Sequence, residues 1–234
     1  MTERLADISQ QRAARIAGAG YLVIIAAGVV AEFVIRASLI VPGDAAATVG
    51  SIAASHGLFR LSIAADLVML TADVVVALAL YTVLRPVNRS LALLAAFFRL
   101  AHAAVYGANL LTLATVLMLV SGAPWLAALG ARELGALVQL FLSAHGYGYD
   151  IGLVFFGVHC LVLGWLLLRS GYVPAVLGPL MGLDGLGYLA DSFASFLVAG
   201  YDATPVFLAV PIGIAELSLC LWLLTKGVTV EETR

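Results

Sequence analysis

The sequence predicts an all-α, polytopic integral membrane protein built as a bundle of six transmembrane helices, and three observations carry that reading. The 234 residues are 63% hydrophobic and only 11% charged, whereas a soluble domain needs about 25% charged residues to cover its surface. The apolar residues fall into long runs, and about 20 such residues make a helix that crosses a hydrocarbon core of about 30 Å. The basic residues gather at alternate ends of those runs, the bias that orients membrane helices.

In chain order the spans are 14–36, 59–84, 90–120, 146–169, 173–198 and 204–226, within a single transmembrane helical domain over 1–234. The first follows Arg4, Arg12 and Arg15 and so imitates a signal peptide. Its apolar stretch from Ile16 to Ile35 is longer than a signal core of about 7–15 residues, so it is read as a retained span. After it, Pro42-Gly43-Asp44 offers a turn and an N-cap, and AAATVGSIAASHGLF suits a short interfacial helix at about 44–57. The second and third spans are joined by Arg85-Pro86-Val87-Asn88-Arg89, and the fourth and fifth by Arg169-Ser170-Gly171-Tyr172-Val173-Pro174. Each turn holds the Pro or Gly that stops a helix. In the connection 121–133, Pro124-Trp125 suits the aromatic belt at a membrane surface.

The fourth span has an unusual approach, because 133–145 reads either as a helical extension or as a separate short helix. One continuous helix from Glu133 to Arg169 would run about 54 Å, well beyond a bilayer core. A break near Gly146-Tyr147-Gly148 would free backbone groups, which is tolerated only against protein or a watery cavity. A kink with close packing through Gly148 and Gly152 is the other reading.

With the N-terminus in the cytoplasm, the inner side holds Arg4, Arg12, Arg15, Arg85, Arg89, Arg169, Lys226 and Arg234. The outer side holds Arg36, Arg60 and Arg132, which places both termini in the cytoplasm. The net charge of −2 and the lack of a Lys/Arg cluster exclude nucleic acid as a partner. The lipid bilayer is the partner that composition demands. Cys160 and Cys220 both lie in apolar runs and read as buried thiols, not as a disulfide.

Three stretches carry a family resemblance: LYTVLRPVNRSLALLAAFFRL, GYGYDIGLVFFGVHCLVLGWLLLRSGYVPAVLG and LGYLADSF. They resemble a bacterial family of small multi-pass proteins known as domain of unknown function 4386. The resemblance runs over most of the chain. It implies a bacterial cytoplasmic (inner) membrane protein of about six helices and brings no catalytic or binding residues with it.

The chemistry-bearing residues are those that a bilayer makes expensive. In FFRLAHAAVYGAN, Arg99, His102, Tyr106 and Asn109 recur at spacings of three and four, which puts them on one helix face. At 1.5 Å per residue from the cytoplasmic ends, Asp73, Arg99, His102, His159, Asp184 and Glu216 all fall about 13–18 Å deep, near the midplane. A further layer of Glu32, Asp66, Asn109, Tyr149, Asp150 and Asp191 falls about 26–28 Å out. Arg36, Arg60 and His56 are within reach of that level. Asp184, Tyr188, Asp191 and Ser195 share one helix face, as do Asp66 and Asp73.

Structural glue accounts for one buried pair, Arg99 with Asp73 or Asp184. Interhelical polar bonds contribute about 0.6–2 kcal/mol against an insertion cost of about 2.5–3.5 kcal/mol per central charge. Three carboxylates, an arginine and two histidines at one level exceed what glue requires. The leading expectation is a polar cavity that binds or moves a small solute or protons. Carboxylates outnumber Arg99, so some would carry a proton, as proton coupling needs. A transporter of six spans implies a homodimer.

The alternative is an intramembrane enzyme with a zinc or iron ion on His102, His159, Asp184 and Glu216, although no HExxH motif is present. A haem between His102 and His159 is a weaker option. His145 and His159 are fourteen apart, a spacing that holds two stacked haems, but the matching positions on the third span are Asn88 and Val116. No cofactor is predicted and no catalytic residue is assigned. No serine sits in a nucleophile turn, which disfavours a Ser-His-Asp enzyme.

Overall fold

The computed structural model describes residues 8–201 and 204–228, and every regular element among them is helical. Helix α1 (Gln10–Val29) passes into a π-helix over Val30–Arg36 and a last turn, α2 (Ala37–Leu39). Then follow α3 (Ala45–Ala54), α4 (His56–Leu84), α5 (Arg89–Leu119), a 3₁₀ turn at Pro124–Leu126, α6 (Ala131–Ser170), α7 (Leu177–Leu197) and α8 (Val206–Thr225).

Four of these stretches are long and apolar enough to cross a membrane: Gln10–Leu39, His56–Leu84, Arg89–Leu119 and Ala131–Ser170. Their outward side chains are apolar, with Phe33 74% and Leu111 70% exposed. Surfaces of that kind are sustained by lipid and not by water. Helix α7 carries Asp184, Asp191 and four glycines, which dilute its apolarity. Helix α8 holds Pro211 in its interior.

Local signals explain the turns. Gly43 has φ +77°, a left-handed conformation that glycine adopts without strain. The next residue, Asp44, caps α3 by accepting from the Ala47 amide at 2.8 Å. Asn88 caps α5 in the same way, accepting from the Leu91 amide at 3.0 Å. Helix α6 is unbroken for 40 residues, about 60 Å at 1.5 Å per residue. Gly146 and Gly148 therefore lie within a continuous helix.

The chain forms two compact units. The first comprises the described residues of 1–22, 72–102 and 153–234, and the second those of 23–71 and 103–152. In the first unit, small residues bring helices into backbone contact. A Cβ on Gly18 would stand 2.8 Å from the Leu224 Cα, so α1 and α8 touch there. Between α6 and α7 the contact is reciprocal: a Cβ on Gly185 would lie 2.6 Å from the Gly157 carbonyl, and one on Gly178 would lie 2.8 Å from the Gly164 carbonyl. This is the small-residue packing through which helices associate in lipid. The second unit has an apolar core that includes Ile52, Phe59, Leu113, Val116 and Val138.

Candidate functional site

The six residues expected near the midplane all belong to the first unit. Arg99, on α5, is fully buried. Its Nη2 donates to Asp73 Oδ1 at 2.6 Å, and its Nη1 donates to the Tyr21 hydroxyl at 3.0 Å and faces His159 Nε2 at 3.2 Å. The guanidinium also stacks on two rings, 4.7 Å from the Tyr21 centroid and 5.1 Å from that of Phe156. The partner of Arg99 is thus Asp73, not Asp184. A buried arginine persists in this setting because one carboxylate, two polar neighbours and two aromatic faces replace water.

His159 shows how the network is polarised. Its Nδ1 lies 2.8 Å from the Ala95 carbonyl, which can only accept. Nδ1 therefore bears the hydrogen, and Nε2 presents its lone pair to Arg99. Both ring nitrogens are used in this way. His102 approaches Asp73 from the other side, Nε2 to Oδ2 at 3.8 Å, and packs on Phe156 with ring centroids 5.0 Å apart.

Across Phe156 the character changes. The Tyr188 ring meets Phe156 edge-on at 5.3 Å, and its hydroxyl donates to Glu216 Oε1 at 2.8 Å. Asp184, one turn before Tyr188 on α7, is 1% exposed, and its carboxylate has the weak Cys160 thiol donor as its hydrogen-bonding neighbour. Its charged and polar neighbours are the Glu216 carboxylate and the Cys160 thiol. The first unit therefore holds two polar centres: an ion pair, Arg99 with Asp73, and an acidic pair, Asp184 and Glu216, whose Glu216 also feels the charge of Arg99 through space. Among the described residues no three His, Cys, Asp or Glu side chains gather as metal ligands would.

The outer set divides differently from its depth count. Glu32, Asp66, Asn109, Tyr149 and Asp150 belong to the second unit, whereas Asp191 belongs to the first. Asp191 accepts from the hydroxyls of Tyr201 and Thr204, which ties the end of α7 to the start of the next segment. In the second unit the organising group is Arg36, expected at a helix exit but found 3% exposed. The π-helix carries the first span past it. Its Nε donates to Glu32 at 2.7 Å and its Nη1 to Asp66 at 2.6 Å. Asn109 donates to the His145 carbonyl at 2.8 Å and lies 3.1 Å from His145 Nδ1, in the space that Gly148 leaves open. Tyr149 packs edge-on against Tyr106 at 5.2 Å, and Asp150 sits half-buried on α6. His56 points elsewhere, to the Val120 carbonyl at 3.0 Å, and Arg60 is exposed.

Sequence reasoning missed Tyr21 and Phe156, which carry no charge to mark them in an apolar run. It placed His145 only in a haem register, though the spacing to Asn109 across two helices has no sequence signature. Against known proteins, a family model described as Domain of unknown function (DUF4386) matches residues 16–227. A curated relative from Archaeoglobus fulgidus, described as an uncharacterized protein, is 31% identical over 170 residues, which is 71% of this chain and 83% of the relative. No solved structure matches.

Proposed function

The chain belongs to the family described as domain of unknown function DUF4386, and from that premise we propose that it is a six-span protein of the cytoplasmic membrane whose buried acidic pair binds or moves protons or a small solute. In this reading α7 and α8 complete the bundle begun by the four long apolar helices, both termini face the cytoplasm, and two copies form the working unit. The observation that carries the proposal is Asp184, which is buried on α7 beside Glu216 with the weak thiol donor of Cys160 as its hydrogen-bonding neighbour. A bare carboxylate in a membrane interior is costly, and a proton or a small cation relieves that cost. Arg99 has its ion pair with Asp73 and reaches Glu216 only as a charge through space. The Arg99–Asp73–His159 group supports the rings of Tyr21 and Phe156, against which Tyr188 aims at Glu216.

Reconstitution into liposomes containing a pH-sensitive dye tests the reading. Wild-type protein should speed proton equilibration under an imposed gradient, while Asp184→Asn and Glu216→Gln should each slow it by about 10²-fold, the scale of a lost proton-transfer group. Equal rates for wild type and both variants, with folding intact, would refute proton movement. Infrared spectra supply a static check: the carbonyl band of a protonated carboxyl should be present in wild type and missing in Asp184→Asn.

A further inference from the structure

Glu216 reaches the proposed site from α8, and the far end of that helix is held by side chains outside the site. After Thr225 the chain leaves α8 through Gly227, at φ +73°. The N–H groups of Lys226 and Gly227 both donate to the Trp222 carbonyl, at 2.8 and 3.0 Å. Carbonyls past that point lie at a helix end and take donors from elsewhere. Helix α1 supplies them. Arg15 Nη1 donates to the Leu224 carbonyl, and Gln11 Nε2 donates to the Lys226 carbonyl at 3.1 Å. The oxygen of the same Gln11 amide accepts from the Val228 N–H at 2.8 Å. Only an amide offers a donor and an acceptor together at one side-chain tip of this length.

This clasp fixes what the seam beyond it leaves free. The buried residues of α1 run Ala13, Ala14, Ala17, Gly18 and then Tyr21. Such small side chains let the backbones touch, and Cys220 Sγ donates to the Gly18 carbonyl at 3.4 Å. They give few ridges, however, against which α8 would stop sliding lengthwise. Lys226 lies 226 − 216 = 10 residues beyond Glu216, about 15 Å of rigid helix, so the clasp sets the depth of the carboxylate. A slip of one residue, about 1.5 Å, is enough to break the 2.8 Å bond from the Tyr188 hydroxyl to Glu216. We infer that Gln11 and Arg15 are positioning residues, which register α8 on α1 and so hold Glu216 at the level of Tyr188 and Asp184. The inference rests on the proposed function for its consequence, proton movement, while the registration itself can be read separately.

Infrared spectra and proton-equilibration rates of the full-length protein test it together. The bands of Glu216, identified by their loss in Glu216→Gln, report its hydrogen bond whether or not protons move. In Gln11→Glu/Arg15→Gln, which removes both donors and sets a carboxylate against helix-end carbonyls, those bands should shift. Equilibration should slow by about 10–100-fold, the scale of a misplacement of about 1 Å. Both residues are exposed, so the variant leaves the core intact. Arg12→Gln, which alters a neighbouring exposed cation, should keep the wild-type bands and rate. Unshifted Glu216 bands in the folded double variant overturn the inference, as does an equal shift in Arg12→Gln. If the double variant does not fold, Gln11→Ala takes its place: it removes both amide bonds without adding charge, and unshifted bands there refute the registration. A wild type that moves no protons refutes the proposed function by that result, and the Glu216 bands still decide the role of Gln11 and Arg15.

Discussion

Arg99 and Asp73 are 2.6 Å apart and essentially without solvent, so each depends on the other in a way that surface pairs do not. Removing one partner strands the opposite charge, whereas removing both leaves an apolar contact. Arg99→Met alone should therefore destabilise by about 3–5 kcal/mol, while Arg99→Met/Asp73→Leu should recover most of that loss. Unfolding of the purified protein in a mild detergent reads both. If the double variant is as damaged as the single, the pair is needed for more than neutrality. Much of this cluster is legible in the sequence, because Asp73, Arg99 and His159 are ionisable residues at one depth in apolar runs. Tyr21 is not, since a phenol in a hydrophobic stretch has no pattern to betray it. Arg36 reads as within reach of Glu32 and Asp66, with which it pairs, but its burial is not legible, because a charge near the end of an apolar run reads as an exit and nothing in the sequence announces a π-helix.

At the scale of elements, the reciprocal glycine contacts decide how α6 and α7 meet. A Cβ on Gly185 would fall 2.6 Å from the Gly157 carbonyl, and that obstacle is backbone that cannot swing away. Gly146, on the same long α6, has open space around it. Gly185→Ala should therefore destabilise by about 1–3 kcal/mol through overpacking. Gly146→Ala should be neutral or stabilise by up to about 1 kcal/mol through helix propensity. Comparison of the two variants in one thermal series checks this. Helical character and the apolar spans at His56–Leu84 and Arg89–Leu119 could be read from run length, and the α3 cap from Asp44. The pairing of Gly157 with Gly185 could not, because the chain is rich in glycine and only packing selects which ones face a neighbour.

For the whole molecule, the membrane reading makes the exposed apolar surface a requirement, and the proposed orientation makes a sharp prediction about access. Both native cysteines are buried, so a background with Cys160→Ala and Cys220→Ala gives no label of its own. In that background, single cysteines at Arg89 and Ser170 should react with an impermeant thiol reagent only from the cytoplasmic side. Cysteines at Gly43 and Gly130 should react only from the opposite side. Labelling of all four from one side would overturn the proposed topology.

The make-up of α7 has a consequence for how the protein is made. With two aspartates and four glycines in 21 residues, this helix is a poor substrate for insertion on its own, since each central aspartate disfavours partition by about 2.5–3.5 kcal/mol. Helix α6 precedes it by one short turn and offers the glycine face against which α7 lies. In the six-span proposal, the ribosome delivers α6 before its partner, and the two would enter the bilayer as a helical hairpin. The acidic pair is then assembled only when α8 arrives with Glu216, so the proposed site is among the last parts of the protein to exist.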